Sequence, residues 1–496
     1  MLRKSLAILC LFFLAALPAL ASSDLARVDC AQLLGWMAGG ISGQQLSHLL
    51  QQRGIAFAFH AKPNEDIAKT LLAAGADAKL IQLLRTIHPS PISSNDPAGS
   101  NLNCRSRLAS AAQLVHQKSF PQAEKILRSL LSEDSQNATL HFALGYVRQQ
   151  QQDWDQAFDE YSTSKEIDPA FSDVHSRLAY VFYQSDDGDN AIAEARTALS
   201  IDPQNAEAYR YLGLGLYANA EYHAALHAFQ ESLARDLQNA DIYYDMGITA
   251  HDMGDPEAAA AAYRKAIHLN SQFWEAYSNL AMVLHDLGKL DEAITEYREA
   301  KQLAPQEPSV RNNLGNTYYD KGDYDAAIAE FRELFRMNPG WHRGHDYLAK
   351  AFMAKRDYSS AIAELKLAVL QNPTGAAEHR VLGQVLLLTN QPQEALRELR
   401  VTVELDPDSA IAHRYLGTAL FETQDLESAA REFRQALRLD PSADNHYYLA
   451  ACLMSLGRDD EALAELQIAS TMNPTQTLYR ARMDELRKLM QSRSSR

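Results

Sequence analysis

The chain has 496 residues, of which 46% are hydrophobic and 22% charged, and its formal net charge at pH 7 is −16. This length and apolar content provide for several cores or one elongated core and argue against a disordered chain. The acidic balance argues against a general nucleic-acid binder, because phosphate binding depends on clustered Lys and Arg side chains and the sequence has no dense basic run.

The first 21 residues have the pattern of a secretory signal peptide. Arg3 and Lys4 precede an apolar stretch at 6–17, and residues 19–21 (Ala-Leu-Ala) supply the small side chains that signal peptidase requires. A transmembrane anchor is the alternative, but the stretch is shorter than the roughly 20 residues that cross a bilayer. We therefore expect residues 1–21 to be removed, leaving an exported chain, periplasmic or secreted, with no stable membrane span.

Residues 22–92 contain short helical patterns with recognisable start signals. Ser42 and Gln45 can form a capping box ahead of a run of leucines, and Asp77 precedes another apolar pattern. Two such helices also fit a DNA-binding helix-turn-helix, but the signal peptide and the acidic charge favour a small helical domain that docks on or caps the segment that follows. Residues 93–103 are a polar linker.

Three cysteines remain after signal removal. Cys30 and Cys104 flank the N-terminal segment and could pair in an oxidising compartment, whereas Cys452 falls in a regular apolar helix and is interpreted as a small buried side chain. Three unpaired thiols are the alternative. The absence of a Cys-x-x-Cys pair gives no indication of zinc or of thioredoxin-like redox chemistry.

Residues 104–476 follow a 34-residue period. The period is marked by Pro169, Pro203, Pro305, Pro339, Pro373, Pro407 and Pro441. It divides the segment into eleven units, which begin at Cys104, Ala138, Ser172, Ala206, Ala240, Trp274, Pro308, His342, Ala376, Ala410 and Ala443. Each unit predicts a helix, a short turn, a second helix and a stop near the proline.

Two positions of this frame carry only small side chains. The eighth position is Gly or Ala in every unit, and the twentieth is always Ala. Small side chains at both positions let the two helices of one unit approach closely. The twenty-fourth position is often aromatic, as in Phe229 and Tyr263, and predicts knobs that pack between successive units.

This pattern resembles the tetratricopeptide-repeat family, whose units are 34-residue helix-turn-helix hairpins with small residues at the eighth and twentieth positions and a proline near the end. The resemblance covers residues 104–476 and implies an all-α fold, a right-handed superhelical solenoid of about eleven repeats that follows the small helical N-terminal domain. The first helix of each repeat would line its inner wall. Residues 477–496 predict an amphipathic capping helix and a tail.

The well-marked catalytic motifs do not occur in the sequence. It has no Gly-rich phosphate loop, His-Glu-x-x-His helix or Gly-x-Ser-x-Gly elbow. The nearest metal-like pair is His342 and His345, which Arg343 separates, and we interpret it as two surface or groove histidines. We therefore expect a chain that is not an enzyme and that has no metal site and no cofactor.

The inner-wall positions of the family, which are the second, fifth, ninth, twelfth and thirteenth of each unit, supply seventeen candidate binding residues. In units three to seven they are Tyr180, Tyr183, Arg210, Tyr217, Tyr244, His251, Asp252, His285, Asp286, Asn312, Asn316, Tyr319 and Asp320. In units eight to ten they are Arg343, Lys350, Arg380 and Arg414. The resemblance thus implies a wall that is aromatic and acidic in its middle and more basic toward the C-terminal end.

Such a wall suits a peptide ligand, because aromatic side chains give large contact area at low entropy cost. The resemblance implies a protein–protein interaction scaffold of the cell envelope or exterior that binds a peptide or protein segment in its concave groove. Two alternatives remain open. The tyrosines could serve only to pack the units together, or the chain could be an accessory subunit of an envelope enzyme or of a polysaccharide-export or assembly complex.

Overall fold

The computed structural model describes residues 28–55, 65–87, 106–236, 238–338 and 344–494, which form 27 helices. Within these ranges the only β-type pairing is an isolated parallel bridge between Val28 and Ile55. None of the helices in these ranges is both long and apolar enough to cross a membrane. The predicted signal peptide and the predicted linker at 93–103 lie outside the described residues.

Four short helices form the N-terminal segment: α1 (Cys30–Ala38), α2 (Gly43–Arg53), α3 (Glu65–Ala73) and α4 (Ala78–Thr86). Asp29 and Gln32 form a full capping box at α1. At α2 only half of the predicted box forms, because Ser42 Oγ accepts from the Gln45 backbone N–H at 3.2 Å while the Gln45 side chain points elsewhere.

Eleven helix–turn–helix hairpins follow. Their helices are α5 (Ser106–His116), α6 (Phe120–Leu131), α7 (Ala138–Gln150), α8 (Trp154–Ile167), α9 (Ser172–Gln184), α10 (Gly188–Ile201), α11 (Ala206–Ala218), α12 (Tyr222–Arg235), α13 (Ala240–Asp252), α14 (Pro256–Leu269), α15 (Trp274–Asp286), α16 (Leu290–Leu303), α17 (Pro308–Lys321), α18 (Tyr324–Met337), α19 (Gly344–Ala354), α20 (Tyr358–Gln371), α21 (Ala376–Leu388), α22 (Pro392–Leu405), α23 (Ala410–Glu422), α24 (Leu426–Leu439), α25 (Ala443–Ser455) and α26 (Asp459–Met472). A last helix, α27 (Thr477–Ser494), packs on α26. The prediction of an all-α chain of eleven helix-turn-helix repeats is confirmed.

The residue at the eighth position must be small because the side chain at the twenty-fourth position of the same hairpin lies against it. A Cβ atom on Gly213 would lie 2.5 Å from Phe229 Cε1, and one on Gly315 would lie 2.5 Å from Phe331 Cε1. These rings pack across their own hairpin, and Phe331 and Phe433 also lie 5.2 Å and 5.9 Å from the rings of Tyr347 and Tyr448 in the next hairpin, so they also contact the next unit as predicted. The eighth residue is Gly in five of the six units whose twentyfourth residue is aromatic, and Ala281 beside Tyr297 is the exception.

The chain has two compact units, residues 1–270 and residues 271–496. In the first unit α9 contacts α11 and α11 contacts α13, and in the second α21 contacts α23 and α23 contacts α25. These are all first helices of their hairpins. The first helices thus lie side by side within each unit, and we call the surface they present the inner face of that unit.

Every hairpin turn contains one residue with a left-handed backbone, always at the fifteenth position. These residues are Lys118, Gln152, Asp186, Ala220, Gly254, Gly288, Gly322, Arg356, Asn390, Gln424 and Gly457. Four are glycine, for which this geometry carries no steric penalty. Ala220, with φ of 58°, has neither glycine's freedom nor the local hydrogen bonding that helps Asn and Asp in this region.

We predict that Ala220→Gly stabilises the first unit by about 0.5–1 kcal/mol, because relief of the left-handed strain exceeds the entropy that glycine adds to the unfolded chain. The measurement is the shift of the denaturation midpoint followed by circular dichroism. Ala193→Gly, at an exposed position inside α10, is the matched control and should destabilise. Equal destabilisation by both changes would contradict the prediction.

Candidate functional site

The N-terminal segment lies on the inner face of the first hairpins. α1 packs against α5 and α7. A Cβ atom on Gly35 would lie 2.2 Å from Thr139 Cγ2, and one on Gly39 would lie 2.3 Å from Phe142 Cε1. Thr139 and Phe142 occupy the second and fifth positions of the second hairpin, which are inner-wall positions. A segment of the same chain therefore already fills that part of the face.

Aromatic stacking and a buried arginine fix this contact. Trp36 of α1 is 3% exposed and stacks on Phe171, with 5.5 Å between ring centroids. Arg177 donates from Nη2 to the Gly40 carbonyl at 3.2 Å, and its guanidinium lies over the Tyr146 ring at 5.2 Å. The segment and the first three hairpins consequently share one apolar core.

α2 continues this contact to the third and fourth hairpins through polar groups. Gln45 Nε2 donates to Asp202 Oδ2 at 3.2 Å, and His48 Nε2 lies 3.2 Å from Asp202 Oδ1. Gln44 Nε2 donates to the Arg235 carbonyl at 2.5 Å. A polar cavity of about 380 Å³ remains between α2 and helices α11 to α13.

Arg210, a predicted binding residue, is held by the next hairpin. Its Nε lies 2.6 Å from Asp245 Oδ2 and its Nη1 lies 3.2 Å from Asp241 Oδ2. Burial raises the pKa of Asp245, and the Arg210 guanidinium opposes that rise. The arginine compensates a buried carboxylate, so its main role is to join the fourth hairpin to the fifth.

Tyr180 and Tyr244 also take part mainly in packing. The Tyr180 ring lies 5.1 Å from that of Tyr211 and 6.0 Å from that of Trp154. The Tyr244 ring lies 5.8 Å from the buried ring of Tyr263. For these two tyrosines the structure favours the alternative that aromatic residues hold neighbouring helices together.

Tyr183 and Tyr217 are more available. They line an open cavity of about 440 Å³ together with Asp186 and Tyr222. The Tyr217 hydroxyl donates to Asp252 Oδ2 at 2.5 Å, and burial together with this carboxylate raises the pKa of Tyr217. His251 Nδ1 lies 3.6 Å from Asp252 Oδ1. The open inner face of the first unit thus presents aromatic rings beside carboxylates.

The second unit begins with a similar polar group. His285 Nε2 lies 2.9 Å from Asp320 Oδ2, and its Nδ1 lies 3.5 Å from Asp286 Oδ1. Asn312 Nδ2 donates to Asn313 Oδ1 at 3.3 Å. Two further predicted residues, Asn316 and Tyr319, are half-buried at the ninth and twelfth positions of α17.

The inner face of the later hairpins combines cations with apolar side chains. Lys350 lies over the Tyr347 ring at 5.4 Å, and Arg414 lies 5.6 Å from the Tyr415 ring and 5.7 Å from the Tyr448 ring. Arg380 is half-buried on α21. Arg343 lies outside the described residues.

Sequence reasoning missed two apolar members of that face. Leu388 and Ile411 are 61% and 48% exposed, at the thirteenth and second positions of their units. Both are inner-wall positions, so the register alone could have identified them. They were missed because only polar and aromatic residues were selected there.

Six His–Glu pairs recur between the fourth and twentythird positions and were also missed. In each pair His Nδ1 lies 2.5–2.7 Å from a glutamate oxygen, in His141–Glu160, His175–Glu194, His345–Glu364, His379–Glu398, His413–Glu432 and His446–Glu465. The expectation that His345 lies on the surface or in a groove is wrong, since it is 5% exposed and joins its two helices. The hydrogen bond that His141 donates to the Glu160 carboxylate raises the pKa of His141.

No group of three or more His, Cys, Asp or Glu side chains in the described part of the chain is arranged to hold a metal ion. Cys452 is a free, buried thiol, as its place in an apolar helix suggested. Cys30 is disulfide-bonded, and its proposed partner Cys104 lies outside the described residues.

Comparison with known families identifies the repeat. A family model described as "Tetratricopeptide repeat" matches residues 244–308, 312–377, 347–410, 380–444 and 416–476. A comparison with curated proteins found no match.

Several solved structures are similar over long stretches. Yeast Tom70 is 16% identical, over 79% of this chain and 97% of its own, with a TM-score of 0.35. The Cut9–Hcn1 hetero-tetramer of APC/C is 20% identical, over 76% of this chain and 72% of its own, with a TM-score of 0.41. PilF of Pseudomonas aeruginosa is 24% identical, over 43% of this chain and 97% of its own, with a TM-score of 0.38. We draw no functional conclusion from these likenesses.

We predict that Arg210→Met and Arg414→Met, which change the same repeat position in different hairpins, differ in their effect on stability. Arg210→Met should cost about 3 kcal/mol at neutral pH, because it leaves the carboxylate of Asp245 buried without its cation. Arg414→Met should cost much less, because its guanidinium lies over the rings of Tyr415 and Tyr448 and the aliphatic volume of the side chain is kept. Chemical denaturation measures both.

The pH dependence of the stability of Arg210→Met tests whether the loss comes from the uncompensated charge of Asp245. Without Arg210 the pKa of Asp245 rises further, so the instability is present above that pKa and is relieved as the pH falls and the carboxyl group takes up a proton. Equal losses for the two variants, or a loss at Arg210 that does not shrink in acid, would show that Arg210 does not compensate Asp245.

Proposed function

We propose that the chain is a tetratricopeptide-repeat protein, as the family match over residues 244–308 and 312–476 supports. We infer that it is an exported interaction scaffold that holds a polypeptide segment on the inner faces of its repeats. Proteins of this family bind proteins or peptides. Because one repeat fold serves unrelated partners, the choice of surface and ligand chemistry must come from this chain's own residues.

One observation carries the proposal. The inner face of the second hairpin already holds a polypeptide, since α1 and the turn after it cover Thr139, Phe142 and Tyr146 at the second, fifth and ninth positions. The contact uses aromatic packing and a donor to a main-chain carbonyl, from Arg177 to Gly40. These are the interactions through which such a face would hold a separate chain.

The uncovered inner face of the first unit fits a segment with basic side chains. Tyr183 and Tyr217 offer rings for apolar or cationic groups, and Asp186 offers a carboxylate at the same cavity. Asp252, which accepts from the Tyr217 hydroxyl, offers a second carboxylate beside it. Arg210 is already paired with two carboxylates. The net charge of this open surface is therefore negative.

The inner face of the later hairpins in the second unit has the opposite charge. Leu388 and Ile411 are exposed there, with Arg380 and Arg414 at the fifth positions of the same hairpins. Exposed apolar side chains beside guanidinium groups favour a segment with carboxylates and large apolar residues. Each unit thus has its own preference.

Two observations support export. The pattern of residues 1–21 is that of a signal peptide, and the disulfide bond at Cys30 suits an oxidising compartment.

The absence of enzymatic activity stays a prediction. The accessory-subunit alternative becomes an outcome of the binding experiments, because it requires an enzyme among the partners.

We predict that peptides selected on the mature chain, residues 22–496, from a random phage-displayed library include a class rich in Lys and Arg. Tyr217→Ala combined with Asp252→Asn should weaken this class by at least about tenfold, since it removes a ring of the cavity and the carboxylate that contacts this ring's hydroxyl. Fluorescence anisotropy with synthetic peptides measures the dissociation constants.

A matched control is available on α8, a second helix of its hairpin, where Phe158 and Asp159 are exposed. Phe158→Ala combined with Asp159→Asn also removes one ring and one carboxylate and should leave binding unchanged. If both double variants bind the basic peptides equally well, the inner face of the first unit is not their site. If no peptide is selected at all, the proposal fails for short segments.

A further inference from the structure

Asp173 is buried where the third hairpin meets the N-terminal segment. It occupies the second position of that hairpin and is 1% exposed. Neither of its carboxylate oxygens has a hydrogen-bond partner. The amide of Gln45, the nearby donor from α2, has the smallest of the influences on the pKa of Asp173 and lowers it, because its Nε2 donates to Asp202 Oδ2 at 3.2 Å. A carboxylate buried without hydrogen bonds is costly when ionised and much less so when protonated.

The charges around Asp173 do not compensate it. Arg177, one turn further along α9, is 4% exposed and is directed to Glu207, with 3.2 Å between Nη2 and Oε2. It also donates to the Tyr211 hydroxyl at 3.1 Å. Asp202, which is 3% exposed, adds another carboxylate from the end of α10.

The N-terminal segment contributes one titratable group to this cluster, His48, which lies 3.2 Å from Asp202. Tyr146 from α7 and Tyr161 from α8 lie around Arg177 and are neutral, since burial raises the pKa of both hydroxyls. Three carboxyl groups therefore share the guanidinium of Arg177 and the imidazole of His48. Burial, aided by Glu207, raises the pKa of Asp173 to about 7.

We propose that the contact between the N-terminal segment and the third and fourth hairpins is a proton-linked latch, which holds while Asp173 is protonated and loosens when Asp173 ionises. Opening would return Asp173 to water and would uncover the inner face that α1 and the following turn now occupy. The latch rests on this buried cluster and not on the proposed function, although opening would enlarge the face available to a partner.

The direction of the pH effect follows from linkage. The closed state holds the proton more tightly than the open state, where the carboxyl group has its ordinary pKa of 3.8. Closure is therefore most favourable in acid and weakens as the pH rises from about 4 to 7. Beyond pH 7 the closed state has also lost its proton, so the weakening is complete.

Hydrogen–deuterium exchange on the full mature chain tests the latch. Opening of α1 and α2 is read from the exchange of their amides at pH 6 and pH 8, after division by the intrinsic rate at each pH, and α23 to α26 serve as an internal reference. We expect about tenfold more opening at pH 8 than at pH 6. Asp173→Asn, which keeps the shape and removes the charge, should protect α1 and α2 equally at both pH values and more strongly than the parent chain at pH 6, because an amide cannot ionise in the open state.

Two further variants separate the causes. Glu207→Gln removes a carboxylate beside Asp173 and leaves Arg177 less engaged, so the midpoint of opening should move to lower pH. Asp202→Asn changes the carboxylate that contacts His48 and should retain the transition. His141 on α7 also binds its proton more tightly in the folded state and gives a loss of stability in the same direction, but it is intact in all three variants.

The latch is refuted if Asp173→Asn keeps the tenfold change, because His141 or another group would then carry it. It is also refuted if Asp202→Asn abolishes the change while Asp173→Asn does not, which would assign the effect to His48. An equal change in the reference helices would indicate general loosening and overturn the proposal as well. Should Asp173→Asn disturb the fold, the midpoint shift in Glu207→Gln decides. Peptide binding at Tyr217 is scored separately, so either proposal can fail alone.

Discussion

The close approach of the two helices within each hairpin is the constraint on which the other features depend. A ring at the twentyfourth position occupies the space that a Cβ atom would need at the eighth, as Phe229 does beside Gly213 at 2.5 Å. The same contact recurs in five hairpins, at Gly145, Gly213, Gly247, Gly315 and Gly417, and it fixes the register of their first helices. The second, fifth and ninth positions are then left facing away from the hairpin core, available to the N-terminal segment, to the next hairpin or to a partner.

Those freed positions serve three different purposes along the chain. In the second hairpin they contact α1, in the fourth Arg210 reaches two carboxylates of the fifth, and at Tyr217 the hydroxyl meets Asp252 beside an open cavity. The same register thus yields a stretch covered by α1, an ion-paired contact between hairpins and an open surface. The Arg210 ion pairs matter for the open surface because they hold neighbouring hairpins in place, and a preorganised face loses less entropy when it binds a flexible segment.

The period made the fold predictable, and the limits of the prediction follow from the range of the contacts. Helix starts such as Ala138 and Ala410 agree with the 34-residue frame because each depends on local signals. The Arg210–Asp245 pair joins residues 35 apart, and the His–Glu pairs join residues 19 apart, so a search within one helix could not find them. The contact of Gln45 with Asp202 spans 157 residues and has no periodic signal at all.

Position two of the repeat shows how docking alone can change the chemistry of a residue. Asp241 stands at this position in the fifth hairpin with its side chain 54% exposed and paired with Arg210, so it costs little as a carboxylate. Asp173 stands at the same position in the third hairpin, but there the N-terminal segment removes the water, and neither carboxylate oxygen has a hydrogen-bond partner. Docking of the N-terminal segment makes Asp173 bind its proton more tightly. Thermodynamic reciprocity therefore requires that protonation of Asp173 also favour docking of the segment.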